Sequence, residues 1–229
     1  MRVAFITLLL MVTLSSNGQS FSNSYYYGYN VAASLNQASV NINAGKSSFI
    51  DKKNKFGIHS AIKIGLTRLA EKAIYATPNA TDKSAIDKIK KADIRFANVN
   101  LNLGVSYTLS ANWMVGAETD LLGFNWSEKA NGEFNPSDFS KKDGPTRIAT
   151  PTSFKVNNTN LMLFSDKNKG VIQSALYGQY KTGKLCFKLS ISYASTQIKT
   201  DSFIGNKGNN RFVNNDFLLG LGAVYNFKK

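Results

Sequence analysis

Apolar and polar side chains alternate with a period of two residues along most of this 229-residue chain. In the last such segment, one side carries Phe217, Leu219, Leu221, Ala223, Tyr225 and Phe227. Alternation of this kind indicates β-strands with one apolar face. It predicts eight strands, at Tyr25–Asn36, Phe56–Arg68, Glu71–Thr77, Ile94–Leu109, Trp113–Trp126, Val171–Lys181, Lys184–Lys199 and Arg211–Phe227.

The lengths of the predicted connections distinguish two all-β architectures. Short links follow the second, fourth and sixth strands, at 69–70, 110–112 and 182–183, and long links follow the others. A soluble secreted sandwich has no reason to place every long loop at one end, whereas membrane barrels combine short periplasmic turns with long external loops. We therefore predict an eight-stranded antiparallel up-and-down transmembrane β-barrel. The weakest strand, Glu71–Thr77, is shorter than the about 9 to 11 residues that a bilayer requires.

The N-terminus has the three regions of a secretory signal peptide. Arg2 precedes an apolar run from Val3 to Leu14, and small polar residues follow. The apolar run is shorter than the about 20 residues of a membrane helix. We predict a signal peptide over residues 1–18, an outer-membrane β-barrel domain over residues 19–229, and location in the cell outer membrane.

The two faces of the strands can then be assigned. Eight strands leave an interior only wide enough for side chains to fill it, so the apolar faces are predicted to contact lipid. Aromatic girdles are expected at the two bilayer boundaries. The candidates are Tyr107, Trp113, Tyr225 and Phe227 at the short-turn ends, and Phe124, Trp126 and Phe212 at the long-loop ends.

The opposite faces would fill the lumen with polar side chains. The charged and titratable members are His59, Lys63, Glu118, Asp120 and Lys188. They could form an ion or proton path, but charges in a narrow lumen are tolerated only when paired, which favours a structural polar network. His59 is the only histidine, so a metal site built on several histidines is excluded. A Ser/His/acid triad stays open, although no nucleophile motif singles out a serine. We expect no enzyme activity, catalytic residue, cofactor or metal.

Positive charge is the other strong feature. The net charge is +14, and removal of Arg2 with the signal peptide leaves 14 minus 1, or +13. Most cations fall in the predicted long loops: Lys46, Lys52, Lys53 and Lys55; Lys83, Lys88, Lys90 and Lys91; Lys129, Lys141, Lys142, Arg147, Lys155, Lys167 and Lys169; Lys207 and Arg211. Export argues against nucleic acid as the partner. The cations predict contact with outer-membrane lipid and lipopolysaccharide, or they act only as solubilising charges.

Two loop segments have structure-forming patterns. Ser84 and Asp87 make a capping-box pattern, with Ile86 and Ile89 on one side, which predicts a short helix. The apolar run Asn160–Phe164 lies within a long loop. It is predicted to fold over the barrel mouth, to extend a strand, or to form a binding patch.

Three segments together resemble a known family. They are GVSYTLSANWMVGAETDLLGFNW (104–126), NLMLFSDKNKGVIQSALYGQY (160–180) and the ending LLGLGAVYNF. These are similar to the small outer-membrane β-barrel proteins of the Bacteroidota, within the OmpA/OmpX-like and PorT-like barrel superfamily. The resemblance implies a Gram-negative outer membrane and insertion by the barrel assembly machinery, which recognises the C-terminal strand. It carries no catalytic motif. The two lysines after Phe227 depart from the usual terminal aromatic residue.

These observations predict a monomer with an envelope-structural or surface-binding function that lies in its basic external loops. Two alternatives stay open. A small porin-like channel would need an open lumen, and a lipid-modifying barrel enzyme would use His59.

Overall fold

A computed structural model describes residues 23–75, 88–135, 150–161, 170–204 and 209–227. Among these residues, no helix is long and apolar enough to cross a membrane. The described elements are β1 (Ser24–Ala33), β2 (Gln37–Phe49), β3 (Phe56–Tyr75), β4 (Lys88–Thr108), β5 (Trp113–Ser127), β6 (Ala130–Asn135), β7 (Thr150–Val156), β8 (Thr159–Leu161), β9 (Val171–Thr182), β10 (Leu185–Ile204) and β11 (Asn209–Phe227).

Eight of these strands close a barrel. Each of β1 to β4 pairs with the next strand, β5 pairs with β9, and β9, β10 and β11 follow in order. The last strand returns to the first, with Tyr25 opposite Phe227 and Ala33 opposite Leu219. All of these pairings are antiparallel, which confirms the predicted eight-stranded antiparallel barrel. We call the end that carries Ser24 and Phe227 the terminal end, and the opposite one the far end.

A second closed circuit stands on the far end. β6 and β7 form a pair that inserts between β4 and β10, with Ile89 opposite Phe134 and Ile198 opposite Val156. On the other side, β11 meets β3 at Val213 and Tyr75, above the short β1–β2 hairpin. The six strands β3, β4, β6, β7, β10 and β11 therefore surround one continuous interior, which we call the outer tier.

The predicted turn at 69–70 was wrong. Phe56–Arg68 and residues 71–75 of the predicted strand Glu71–Thr77 belong to the single strand β3, which continues through register shifts near Leu69 and Lys72. Residues 76 and 77 lie outside the described residues. The true second strand, β2, lies in a segment predicted to be a loop. Its outward positions have only two large apolar residues, Val40 and Ile42, and the others are Ala38, Ala44, Lys46 and Ser48, so its alternation is weak.

The predicted alternation of short and long links was also wrong. At the terminal end, the connections are 50–55, 109–112 and 183–184; at the far end, they are 34–36, 76–87, 128–170 and 205–208. The far end therefore combines two short connections with two long ones. As a result, Lys52, Lys53 and Lys55 lie in a turn at the terminal end, and Lys46 lies in β2 against the ring of Tyr25.

The barrel surface is apolar outside and polar inside. Large apolar side chains on the outward faces are 37–70% exposed over most of the barrel, as for Tyr29, Ile42, Leu66, Leu189 and Leu219. Their inward neighbours include buried asparagines, serines and two lysines. A soluble barrel has the reverse arrangement, because water would have to hydrate this apolar exterior. Such an exterior matches the hydrocarbon core of a bilayer.

Aromatic rings lie at the terminal end in contacting pairs. Tyr25 stacks on Phe227 at 6.1 Å, and Phe56 lies 4.9 Å from Tyr107. Toward the far end, Phe124 and Trp126 are 61% and 57% exposed. Phe212, predicted to lie in the same girdle, does not lie there. Its inward position, two residues before Asn214, buries it completely inside the outer tier.

The two structured loop segments have different outcomes. Ile89, predicted to lie in a short helix, is in strand β4, while Ser84, Ile86 and Asp87 lie outside the described residues. Of the apolar run Asn160–Phe164, the first two residues extend the sheet, since β8 pairs with Leu122–Phe124 of β5. Residues 162–164 lie outside the described part of the chain.

Candidate functional site

The middle of the lumen contains a buried ion pair. Lys63 of β3 donates from Nζ to Oδ2 of Asp120 on β5 at 2.5 Å, and Asp120 is 0% exposed. The same carboxylate accepts hydrogen bonds from the side chains of Asn100 (3.2 Å) and Asn102 (3.0 Å) and from the backbone N–H of Gln173 (3.2 Å). These donors satisfy a charge that would otherwise be costly to bury.

A second ion pair lies nearer the terminal end. Lys188 of β10 donates to Glu118 of β5 at 2.7 Å, and the glutamate side chain is 23% exposed. The Lys188 ammonium also lies 4.3 Å from the centre of the Tyr177 ring, which is within the range of a cation–π contact. Both pairs join strands that are distant in sequence, so no spacing along the chain could have predicted which lysine binds which carboxylate.

The lone histidine has a short polar contact. His59 Nε2 and Ser106 Oγ lie 2.6 Å apart, and the Tyr26 ring approaches the imidazole edge-on. Ser106 is only 5% exposed. The structure thus places the five predicted lumen residues in two ion pairs and one His–Ser contact. In the described part of the chain, no three His, Cys, Asp or Glu side chains are grouped as a metal site.

Apolar side chains close the lumen at the terminal end. Met114, Tyr177, Cys186 and Val224 form a buried cluster, with Tyr26 and Phe49 packed against it. Cys186 is fully buried and accepts a hydrogen bond from Asn226 Nδ2 at 3.2 Å. The ion pairs are therefore separated from the terminal end by a layer of aromatic and aliphatic groups.

A larger apolar core closes the far end, inside the outer tier. All six tier strands contribute to it, and its most buried rings are Phe154 and Phe212, each 0% exposed. The members are Leu69, Ile74, Ile89, Ile94, Phe96, Phe134, Phe154, Val156, Val171, Ile198 and Phe212. Close-packed protein interiors leave few voids as large as a water molecule, so this core blocks the lumen.

Sequence reasoning missed this core, although the chain carries a signal for it. On several strands, the inward positions change from polar to apolar toward the far end. Toward the far end of β4, the inward position after Asn98 is Phe96 and the next is Ile94; on β11, the inward position after Asn214 in the same direction is Phe212. Inward positions that become apolar at one end of a membrane barrel indicate that the lumen is closed there. The complete core also requires the pairing of β6 and β7, which these positions do not predict.

Comparisons with known proteins give no family assignment. No protein-family model matches the chain, and no curated protein matches it. Among solved structures, Ail of Yersinia pestis, in complex with the heparin analogue sucrose octasulfate, is 12% identical over 90% of this chain and 97% of its own, with a TM-score of 0.37. A major outer membrane protein from Thermus thermophilus is 12% identical over 89% and 99%, with a TM-score of 0.40. The toluene transporter TodX of Pseudomonas putida is 9% identical over 94% and 90%, with a TM-score of 0.27. These TM-scores are all below 0.5, so the barrel assignment rests on the strand pairing of this chain.

Proposed function

We propose that this protein is a non-conducting β-barrel of a Gram-negative outer membrane, with an envelope-structural or surface-binding function. The observation that carries the proposal is the apolar core of the outer tier, which fills the far end of the lumen. A diffusion channel needs a continuous polar path. Here, the polar middle of the lumen lies between two apolar layers.

The apolar exterior supports the membrane address. The predicted signal peptide and the even number of strands support a periplasmic terminal end, with the extended strands of the outer tier facing outward. The outer tier is the part of the molecule best suited to meet lipopolysaccharide or another cell-surface partner. We include the barrel assembly machinery as the insertion partner, a monomeric state, and the absence of enzyme activity in the same proposal.

Planar-bilayer conductance tests the closed lumen directly. The folded full-length protein should give no stepwise current, whereas a general porin reconstituted in the same way serves as the positive control. Insertion is checked by the shift in gel mobility between heated and unheated samples. Regular single-channel steps from correctly inserted protein would overturn the proposal in favour of the porin-like alternative.

Lipid analysis tests the enzymatic alternative. Cells that express the wild type and His59→Ala should have the same lipid A mass spectrum as cells without the protein. A new lipid A species that depends on His59 would replace the structural assignment with a lipid-modifying one.

A further inference from the structure

The outer surface of the barrel has a lateral groove near the far end. Its volume is about 1130 Å³, and it runs across the faces of β1 to β5 and the segment that leads into β6. It exists because β5 leaves β4 at Phe96, opposite Ser127, and β6 joins β4 only at Lys90, opposite Glu133. Residues 128–132, between these points, have no partner on β4 in the sheet, and the groove lies beside this interruption of the pairing.

The wall of the groove nearer the terminal end is apolar. It is formed by outward-facing side chains of the lipid-contacting band, including Val40, Leu66 and Trp126. Val40, Leu66 and Trp126 are 50%, 65% and 57% exposed. An indole at this level suits the boundary between hydrocarbon and headgroups.

The wall nearer the far end is charged, and its lining residues include more cations than carboxylates. Arg68 of β3 is directly opposite Arg95 of β4, and like charges in this position repel each other. Asp93 binds Arg68 through both carboxylate oxygens, at 3.1 and 2.9 Å. The Asp93 carboxylate therefore binds one of two adjacent guanidinium groups, that of Arg68, with Arg95 opposite it. With Lys129 and Glu128 on the opposite rim, the groove has three cations against two carboxylates, a net charge of +1.

The two walls meet at the height where a lipid changes from chain to headgroup. Arg68 follows Leu66 by two residues on the same face, which is a rise of about 7 Å along a strand. A ligand that covers both walls must be apolar over one end and anionic at the other. A free anion would contact only the charged wall.

We infer that the groove binds the phosphorylated headgroup of lipid A in the outer leaflet. Arg95 and Lys129 bind the phosphate, Asp93 holds Arg68 in position beside them, and the apolar wall contacts an acyl chain. Guanidinium groups are suited to this because they bind phosphate oxygens in a bidentate manner. The inference rests on the proposed outer-membrane address and adds a ligand and a site to it.

Lipid retention tests the inference. Full-length protein is inserted into nanodiscs of phosphatidylethanolamine with diphosphoryl lipid A, extracted in mild detergent, and examined by native mass spectrometry. The groove variant Arg95→Gln with Lys129→Gln should retain lipid A at least about tenfold less than the wild type, as expected when charge-assisted bonds to phosphate are lost. The matched control Lys52→Gln with Lys184→Gln removes the same charge from exposed positions at the terminal end and should retain lipid A like the wild type.

Further arms identify the ligand chemistry. Dephosphorylated lipid A should be retained no better than phosphatidylethanolamine, and millimolar inorganic pyrophosphate should not displace diphosphoryl lipid A. Equal retention by groove and control variants, equal retention of the two lipid A forms, or displacement by pyrophosphate would each overturn the lipid A site. A failure of the proposed function is visible separately, as failed insertion or as conductance, before any retention is measured.

Discussion

Asp120→Asn is expected to destabilise the barrel more than any other charge-neutralising change among the described ion pairs. The substitution keeps the size of the side chain but leaves the ammonium of Lys63, a residue that is 6% exposed, without an opposite charge. Only the Gln173 Oε1 contact, at 3.3 Å, would still accept from that ammonium. Breaking a buried ion pair by removing one partner costs about 3 to 5 kcal/mol, so we expect a loss near the lower limit, about 3 kcal/mol.

Two other ion pairs in the same chain allow the loss of stability to be compared with that of Asp120→Asn. Glu118→Gln should cost less than Asp120→Asn for two reasons: the Glu118 side chain is 23% exposed, so its carboxylate is already partly hydrated, and the remaining Lys188 keeps its cation–π contact with Tyr177. The Arg68–Asp93 pair is 52% and 39% exposed, and Asp93→Asn should cost at most about 1 kcal/mol. The predicted order of destabilisation is therefore Asp120, then Glu118, then Asp93.

Urea unfolding in lipid vesicles measures these values. The folded fraction is read from the faster-migrating unheated band, and the free energy of unfolding comes from linear extrapolation. Adding Lys63→Met to Asp120→Asn should recover part of the loss, since the unpaired charge is then absent and an amide oxygen at position 120 can still accept hydrogen bonds from the neighbouring donors. If Asp120→Asn stays within about 0.5 kcal/mol of the wild type, the lumen is hydrated enough to solvate Lys63, and the description of a dry, paired network is wrong.

Three further predictions concern separate parts of the fold. Phe154→Ala should remove about 3 to 5 kcal/mol of packing energy from the outer-tier core. Limited proteolysis should then cut the outer tier sooner, while the band of the unheated sample keeps its position on the gel. Pro151→Ala, at an exposed position, is the control. The backbone N–H groups of Phe56 and Lys55 donate to Asp51 and hold its carboxyl pKa below the ordinary value. The stabilisation of this turn should therefore be complete above the pKa of the unfolded chain and disappear as the pH falls through the lower pKa of the folded state. Amide chemical shifts of the turn should follow this titration and lose it in Asp51→Asn. Cys186, 0% exposed, should react with a maleimide only after unfolding, and fast labelling of the folded barrel would show that the terminal-end layer is open.

The strand faces could be predicted from the sequence because a period of two is a local property. Where large apolar side chains alternate with polar ones, as on β3 from Ile58 to Leu66, the sequence determines which side meets lipid. β2 was missed because its outward positions are mostly small, and side chains such as Ala38 and Ala44 produce little contrast with Ser or Asn. The eight-strand count was reached with one strand missed and one strand divided in two.

The partners of the lumen charges and the outer tier could not be predicted because both depend on long-range register. Lys63 and Asp120 are 57 residues apart, and their contact requires the pairings of β3 with β4 and of β4 with β5. The β4–β5 pairing includes a shift between Leu101 and Asn102, which determines the height of Asp120 in the lumen. Such irregularities leave only a weak trace in the sequence.

Charge in this molecule separates into an internal part that cancels and an external part that does not. Lys63 with Asp120 and Lys188 with Glu118 contribute no net charge, so the excess positive charge of the chain lies outside this network. At 0.1 M salt the Debye screening length is about 10 Å, so added salt weakens interactions between exposed charges and has little effect on buried pairs. Higher ionic strength should therefore lower lipid A retention by the groove and leave the stability difference between Asp120→Asn and the wild type nearly unchanged. Because the two responses come from different sets of residues, equal sensitivity of both to salt would show that the lumen charges are exposed to solvent and would remove the distinction between network and groove.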